Sequence, residues 1–333
     1  MKILLPCMFC LLLSGCFATT GTAFKLKTYE VPEKYQQGEK TPLRDGDIVM
    51  SVTSDPMSLV YILNSTEFSR YVHVGVVSIE DGEPYVYEAV GWGLPLPGEV
   101  PTDAINGAIY RSRFKDFLWR QRTVEVFAPP PYVDRNKVAA YARTAYENKL
   151  PFDPYFDAVN HDKVYCTEFV ALALETGGHP GFKLVPRNTN ASLSVAIRWL
   201  KLDNELTLPA DVLVQNAETV AVISHDLEKI EILLWHEIRR ELFRRFTPDQ
   251  RLGYLFKWRG NELEYRQDVQ AFIDQALTLK SALPDSAGKA ELRKEVQRVA
   301  GKLFGPVRWQ RDQRLAETVS PAQAPGLQPQ KSH

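Results

Sequence analysis

The segment YVHVGVVSIEDGEPYVYEAVGWG, residues 71–93, reads as a β-hairpin. Its first half is β-branched and alternating, EDGEP is a turn signal, and YVYEAVGWG is a second strand, so the hairpin spans about residues 71–91. Val72, Val74 and Val76 mark one face as core, while His73, Gly75 and Val77 face the other way. With a two-residue loop at Asp81-Gly82, Glu80 pairs with Glu83 and His73 faces Val90. Glu88 then shares the face of His73, on a diagonal where Cβ atoms are ~7 Å apart or somewhat less. A three-residue loop without a bulge would send the pair to opposite faces. A lone histidine in a strand is by default a structural residue; a carboxylate within reach is what makes this one a candidate base.

Outward from the hairpin, GDIVMSV is a preceding strand, about Asp47–Val52, and SDPMSLVYILNSTEFS holds a short helix with Ser54 or Asp55 as cap. GAIYRSR and RTVEVFAPP add strands. DRNKVAAYARTAYENKL has helical spacing, with Asp134 as cap and Pro151 closing it. PFDPYFDAVNHDK is a loop, and a helix runs from about Tyr165 to Glu175, stopped by Gly177-Gly178. ADVLVQNAETVAVIS has strand character. After about residue 226 the composition shifts. Leu227, Ile230, Leu234, Ile238 and Leu242 make a helical stripe, and helical patterns recur around 262–283 and 289–304. The arginines of that stretch alternate with acidic residues and read as a solvated face. Residues 318–333, rich in Pro, Gln, Ala and Ser, read as disordered.

The composition is 44% hydrophobic and 24% charged, which is ordinary for a globular protein, and the formal net charge of −1 argues against a nucleic-acid surface. The N-terminus reads as a leader: Lys2, an apolar run from Ile3 to Leu13 too short to span a bilayer, then small residues. Leu13-Ser14-Gly15-Cys16 resembles a bacterial lipobox, which implies that residues 1–15 are removed and that Cys16 is acylated. More than one acyl chain on that residue would anchor the chain to a membrane stably. Phe17 stands where the inner-membrane retention signal would be Asp, so the resemblance implies outer-membrane sorting, facing the periplasm. Residues 16–40 read as the tether.

Of the four cysteines, Cys7 and Cys10 leave with the leader and lipid caps Cys16, so Cys166 is the one free thiol. In an oxidising compartment a lone thiol is either buried and inert or kept for chemistry. Cys166 lies at a helix entrance, where free N–H groups and the macrodipole favour an anion and can hold an oxyanion. Thiolates form most readily there and beside an imidazolium. His161 with Asp162 could orient a substrate or bind a metal, but reads better as a solvated loop pair. His236-Glu237 lacks the second histidine of a zinc-protease helix. No cofactor or metal is expected.

His73 in SRYVHVGVV, Glu88 in VYEAV, and Cys166 in YCTEFVALALE preceded by LPFDPYF resemble the YiiX/YaeF-like branch of the permuted NlpC-type cysteine peptidases and amidases. The likeness covers residues 41–225. It implies an α+β, circularly permuted papain-like fold, an antiparallel sheet packed on helices, with residues 226–317 as a helical C-terminal extension outside it. The order His73, Glu88, Cys166 is what a permutation of the papain order implies, with Cys166 as nucleophile, His73 as base then acid, and Glu88 orienting it. Tyr165 is a candidate for shaping the oxyanion or substrate site, Glu168 for a local cap or pair, and the GWGLPLPGEV loop with Trp92 for lining a groove or packing.

The expectation is a lipid-anchored envelope thiol hydrolase acting on cell-wall peptides or on lipid amides or esters. Acyl transfer to an acceptor other than water is the related alternative. A non-catalytic scaffold, binding an envelope protein through the helical extension with Cys166 buried, is the rival from another class.

Overall fold

The computed structural model describes residues 27–29, 43–91, 107–188, 205–225, 227–246, 255–259, 262–284 and 286–307. The expected leader, the expected lipidation position Cys16, the Trp92 loop and residues 318–333 lie outside the described residues.

Seven strands form one antiparallel sheet: β1 (Lys27–Tyr29), β2 (Ile48–Ser51), β3 (His73–Glu80), β4 (Glu83–Gly91), β5 (Gly107–Arg113), β6 (Thr123–Ala128) and β9 (Glu218–Ser224). Their spatial order is β1-β9-β6-β2-β3-β4-β5. The short pairs β7 (Val185–Pro186) with β8 (Leu206–Thr207), and β10 (Phe256–Arg259) with β11 (Glu262–Tyr265), stand apart from it. The described helices are α1 (Pro56–Leu63), α2 (Phe114–Gln121), α3 (Arg135–Glu147), α4 (Cys166–Thr176), α5 (Lys229–Phe246), α6 (Gln267–Leu277) and α7 (Lys289–Phe304). The molecule is therefore α+β with an antiparallel sheet.

Local chemistry accounts for several boundaries. Asp55 accepts from the Ser58 amide at 2.9 Å with Pro56 in the first turn, and Asp134 caps α3 through the Asn136 and Lys137 amides. The sheet is buried on both sides, so its alternation separates two apolar layers rather than core from water. Val74, Val76, Tyr87 and Ala89 pack with Val170, Ala173 and Leu174 of α4 and with α3. Val49, Val77, Val86, Val124 and Val126 pack with Phe114, Phe117 and Leu118 of α2.

Several sequence readings need correction. Lys27–Tyr29, assigned to the tether, is strand β1, paired with Val222–Ser224 at the edge of β9, whose backbone groups would otherwise go unpaired. Phe114–Gln121, left unassigned between two strands, is α2. Ala210–Val214, read as strand, is a 3₁₀ turn, with Ser69 and Arg70 bonded to Asp211. Glu262–Tyr265, read as helical, is β11, and the helix starts only at Gln267. The arginines of α5 are not a wholly solvated face: Arg239 is 1% and Arg245 6% exposed. Glu241 takes Arg244 and Arg245, and the Arg70 carbonyl accepts from Arg239, which is how those cations enter the interior.

The helical extension does not keep a core to itself. Ile230, Leu234, Ile238 and Leu242, the stripe of α5, share one cluster with Val269 and Phe272 of α6, Leu292 and Val296 of α7, and Leu59, Ile62 and Leu63 of α1. That burial ties residues on both sides of position 226 into one apolar layer.

Candidate active site

The β3–β4 turn places the first two groups. Asp81 (φ 51°) and Gly82 (φ 81°) are both left-handed, the type I′ geometry that matches hairpin twist. The loop is two residues long and the register is Glu80↔Glu83, Ile79↔Pro84, Ser78↔Tyr85, Val77↔Val86 and Val76↔Tyr87. His73 and Glu88 therefore share a face, and the His73 Nε2 lies 2.6 Å from Glu88 Oε2. The Glu88 side chain is fully buried, and that of His73 is 20% exposed. Phe117 of α2 lies against the imidazole, ring centroids 6.3 Å apart at 29°. The other carboxylate oxygen, Glu88 Oε1, accepts from Arg120 Nη2 at 2.5 Å.

Cys166 is the first residue of α4, after Tyr165 at the N-cap. α4 packs on the sheet face opposite to His73, yet the sulfur and the imidazole meet. The reason is position along the strand. His73 is the first residue of β3, and Cys166 Sγ sits 3.9 Å from the Val72 carbonyl oxygen, just before the strand begins. The N-terminus of α4 thus lies beside the start of β3, where the thiol is near enough to the imidazole to bear on its charge. Glu88 occupies Nε2, so Nδ1 is the nitrogen left for sulfur.

The electrostatics follow from these contacts. Burial pulls the His73 imidazole down, but its hydrogen bonds to Cys166 and Glu88, with the charges on both, outweigh burial and hold it at about 10, above the usual 6.5. Burial raises the Glu88 carboxyl, and the His73 and Arg120 contacts more than offset this, so it stays below the ordinary 4.5. Glu88 is thus a carboxylate holding a cationic imidazole, and the sulfur of Cys166 stands at the N-terminus of α4 beside them.

Around the thiol, Tyr61 is half-buried and meets Phe156 in a tilted contact at 5.6 Å, and Phe156 meets Tyr165 at 5.2 Å. Burial first, then the charge of Cys166, pushes the Tyr61 phenol up to about 12, so it is a neutral hydroxyl. Tyr165 is buried, and its hydroxyl accepts from the Leu208 amide at 3.3 Å. Glu168, at the third helical position, accepts from the Tyr165 amide at 3.3 Å and bonds His161 Nδ1 at 2.6 Å. Burial raises Glu168 to about 7 against the opposing pull of His161. His161 thus pairs with Glu168 rather than with its neighbour Asp162.

A second buried cluster lies close by. His236 Nε2 is 2.6 Å from Glu125 Oε1, and the Tyr71 hydroxyl donates to Glu125 Oε2 at 2.7 Å. Among the described residues no three His, Cys, Asp or Glu side chains gather so as to hold a metal ion. Sequence reasoning missed Arg120, because α2 was not read as a helix, and missed the Glu125–His236 pair, whose members lie 111 residues apart.

No known protein-family profile matches the chain, nor does any curated protein. One solved structure is similar. It is that of metalloprotein yiiX from Escherichia coli O157:H7, at a TM-score of 0.42 and 18% identity, covering 53% of this chain and 96% of that one.

Proposed function

We propose that this chain is a thiol hydrolase of permuted papain-like arrangement, anchored by lipid at Cys16 and facing the periplasm. The observation that carries this reading is the convergence of Cys166, His73 and Glu88, from three separate elements, at one helix N-terminus. The sulfur attacks the carbonyl carbon of an amide or ester. The His73 imidazolium donates its Nδ1 proton to the leaving nitrogen or oxygen as the carbon–heteroatom bond breaks. Water, deprotonated by the now neutral imidazole, then releases the acyl group, the sulfur leaves as thiolate, and the imidazolium is restored. Glu88 holds the Nε2 side throughout, as a buried carboxylate must if the tautomer is to stay correct. The chain order of base, carboxylate and nucleophile supports the permuted arrangement. Cell-wall stem peptides and lipid amides or esters are the substrate classes that suit an anchored envelope enzyme, and an acceptor other than water would make the same acyl-enzyme a transferase.

The test is to trap an acyl adduct on Cys166 with an electrophilic peptide or acyl-ester mimic and locate it by mass spectrometry. Adduct on Cys166 in the wild type and its loss in His73→Ala supports the reading. A scaffold is the rival, and the 8% exposure of Cys166 is the observation in its favour. A thiol that reacts only after denaturation would select the scaffold.

A further inference from the structure

Glu88 is a fully buried carboxylate whose two oxygens have different partners: Oε2 holds His73 and Oε1 holds Arg120. A carboxylate gripped at one oxygen can swing about its terminal bond, while one gripped at both is fixed in plane and direction. The guanidinium is itself held. Its Nη2 also donates to Ser112 Oγ at 3.0 Å, and its carbon lies 5.6 Å from the Tyr110 ring and 5.8 Å from the Phe117 ring. Tyr110 stands opposite Glu88 in the β4–β5 register. Phe117 and Arg120 are three residues apart on α2, so one helix face presents both the ring against His73 and the cation on Glu88. We propose that Arg120 is a positioning residue of the site, fixing the Glu88 carboxylate in the orientation from which it holds the imidazole. This rests on the thiol-hydrolase reading above.

The charged and polar groups facing Glu88 are His73 from β3, Arg120 from α2, and Ser112 and Tyr110 from β5, with Cys166 of α4 beyond the imidazole. An arginine that only balances a buried charge would add stability and leave the thiol's reactivity alone. A positioning arginine also sets how far into acid the carboxylate keeps hold of His73.

The discriminating measurement is the pH–rate profile of Cys166 alkylation by iodoacetamide on the full chain. With Arg120→Gln, the acid limb should move up by about one pH unit, slowing alkylation about tenfold near pH 6 and little at pH 8. Arg120→Lys, a point charge without the planar fork, should move the limb less, in the same direction. In a Glu88→Gln background, Arg120→Gln should add no further displacement. Arg120→Gln and Arg120→Lys profiles that superimpose on the wild type, with only the melting temperature lowered, overturn the proposal. Additive displacement in the Glu88→Gln background also overturns it. If Arg120→Gln does not fold, Arg120→Lys decides alone: a displaced limb supports and an unmoved one overturns. His73→Ala separates the two levels. Its profile unchanged from wild type sinks the hydrolase reading itself, whereas a changed His73→Ala profile beside unmoved Arg120 variants sinks only the role of Arg120.

Discussion

Two histidine–glutamate pairs in this molecule have the same length and opposite surroundings. His73–Glu88 and His236–Glu125 are each joined through Nε2 at 2.6 Å. The third partner differs: a thiol at the mouth of α4 in the first, the Tyr71 hydroxyl in the second. Exposure differs too, since the His73 side chain is 20% exposed and that of His236 only 5%. The first pair sits at the end of β3, beside a sulfur that is itself 8% exposed. The second joins β6 of the sheet to α5 of the helical extension, with a tyrosine hydroxyl rather than a thiol as its neighbour. A His–Glu contact by itself therefore says little about chemistry. What it touches, and whether solvent touches it, separates a reactive pair from a structural one.

The largest expected effects break the pairs apart by function. Cys166→Ala should abolish covalent trapping, and His73→Ala should slow thiol modification near neutral pH by about 10²- to 10⁴-fold, followed by iodoacetamide kinetics. His236→Ala, measured per folded molecule in the same assay, should alkylate at close to the wild-type rate. If it loses reactivity as His73→Ala does, the two pairs are not distinct in role.

Stability should rank them the other way. Removing the imidazole of His236 leaves a Glu125 oxygen buried without its hydrogen-bond partner and should cost about 1–3 kcal/mol in urea unfolding. A midpoint near that of the wild type would mean that the interface between sheet and extension contributes little.

The pairs should also act on stability at opposite ends of the pH scale. Burial raises the Glu125 carboxyl, but His236, Tyr71 and Arg70 outweigh it and bring the group to about 2, below the usual 4.5. A depressed carboxyl gives stability that is present above pH 4.5 and lost as pH falls towards about 2. His73, held at about 10 rather than 6.5, gives stability that is complete below pH 6.5 and lost as pH rises through about 10. Urea midpoints across pH should lose the acid slope in Glu125→Gln and the alkaline slope in His73→Gln. Slopes unchanged by either substitution would refute the assignment.

The smallest effect concerns the third such pair. His161 lies 52% exposed against Glu168, so His161→Ala should cost under about 1 kcal/mol in the same denaturation assay. A larger loss would place the loop before α4 among the structural supports of the site.

The hairpin was legible because its signals are local. Asp81-Gly82 demands the left-handed turn, the turn demands the register, and the register brings Glu88 to His73. The start of α4 at Cys166 and the cap at Asp134 were legible for the same reason. The stretch at 210–214 was misread because its apolar residues suit either a strand or a turn, and the bonds from Ser69 and Arg70 to Asp211 come from 142 and 141 residues away. Arg239 was misread because alternating charge on a helix looks solvated, whereas its destination is the Arg70 carbonyl of a different element.

The amino-acid order alone determined which side chains carry the candidate chemistry, because pairing across a two-residue turn and position at a helix entrance depend on neighbours a few residues apart. Only the tertiary structure decided that the thiol and imidazole come together at the end of β3, that Arg120 bonds the second oxygen of Glu88, and that the His236–Glu125 contact lies buried beneath α5. Those outcomes depend on packing between segments tens to more than a hundred residues apart, and no local pattern encodes which buried charge will find which partner.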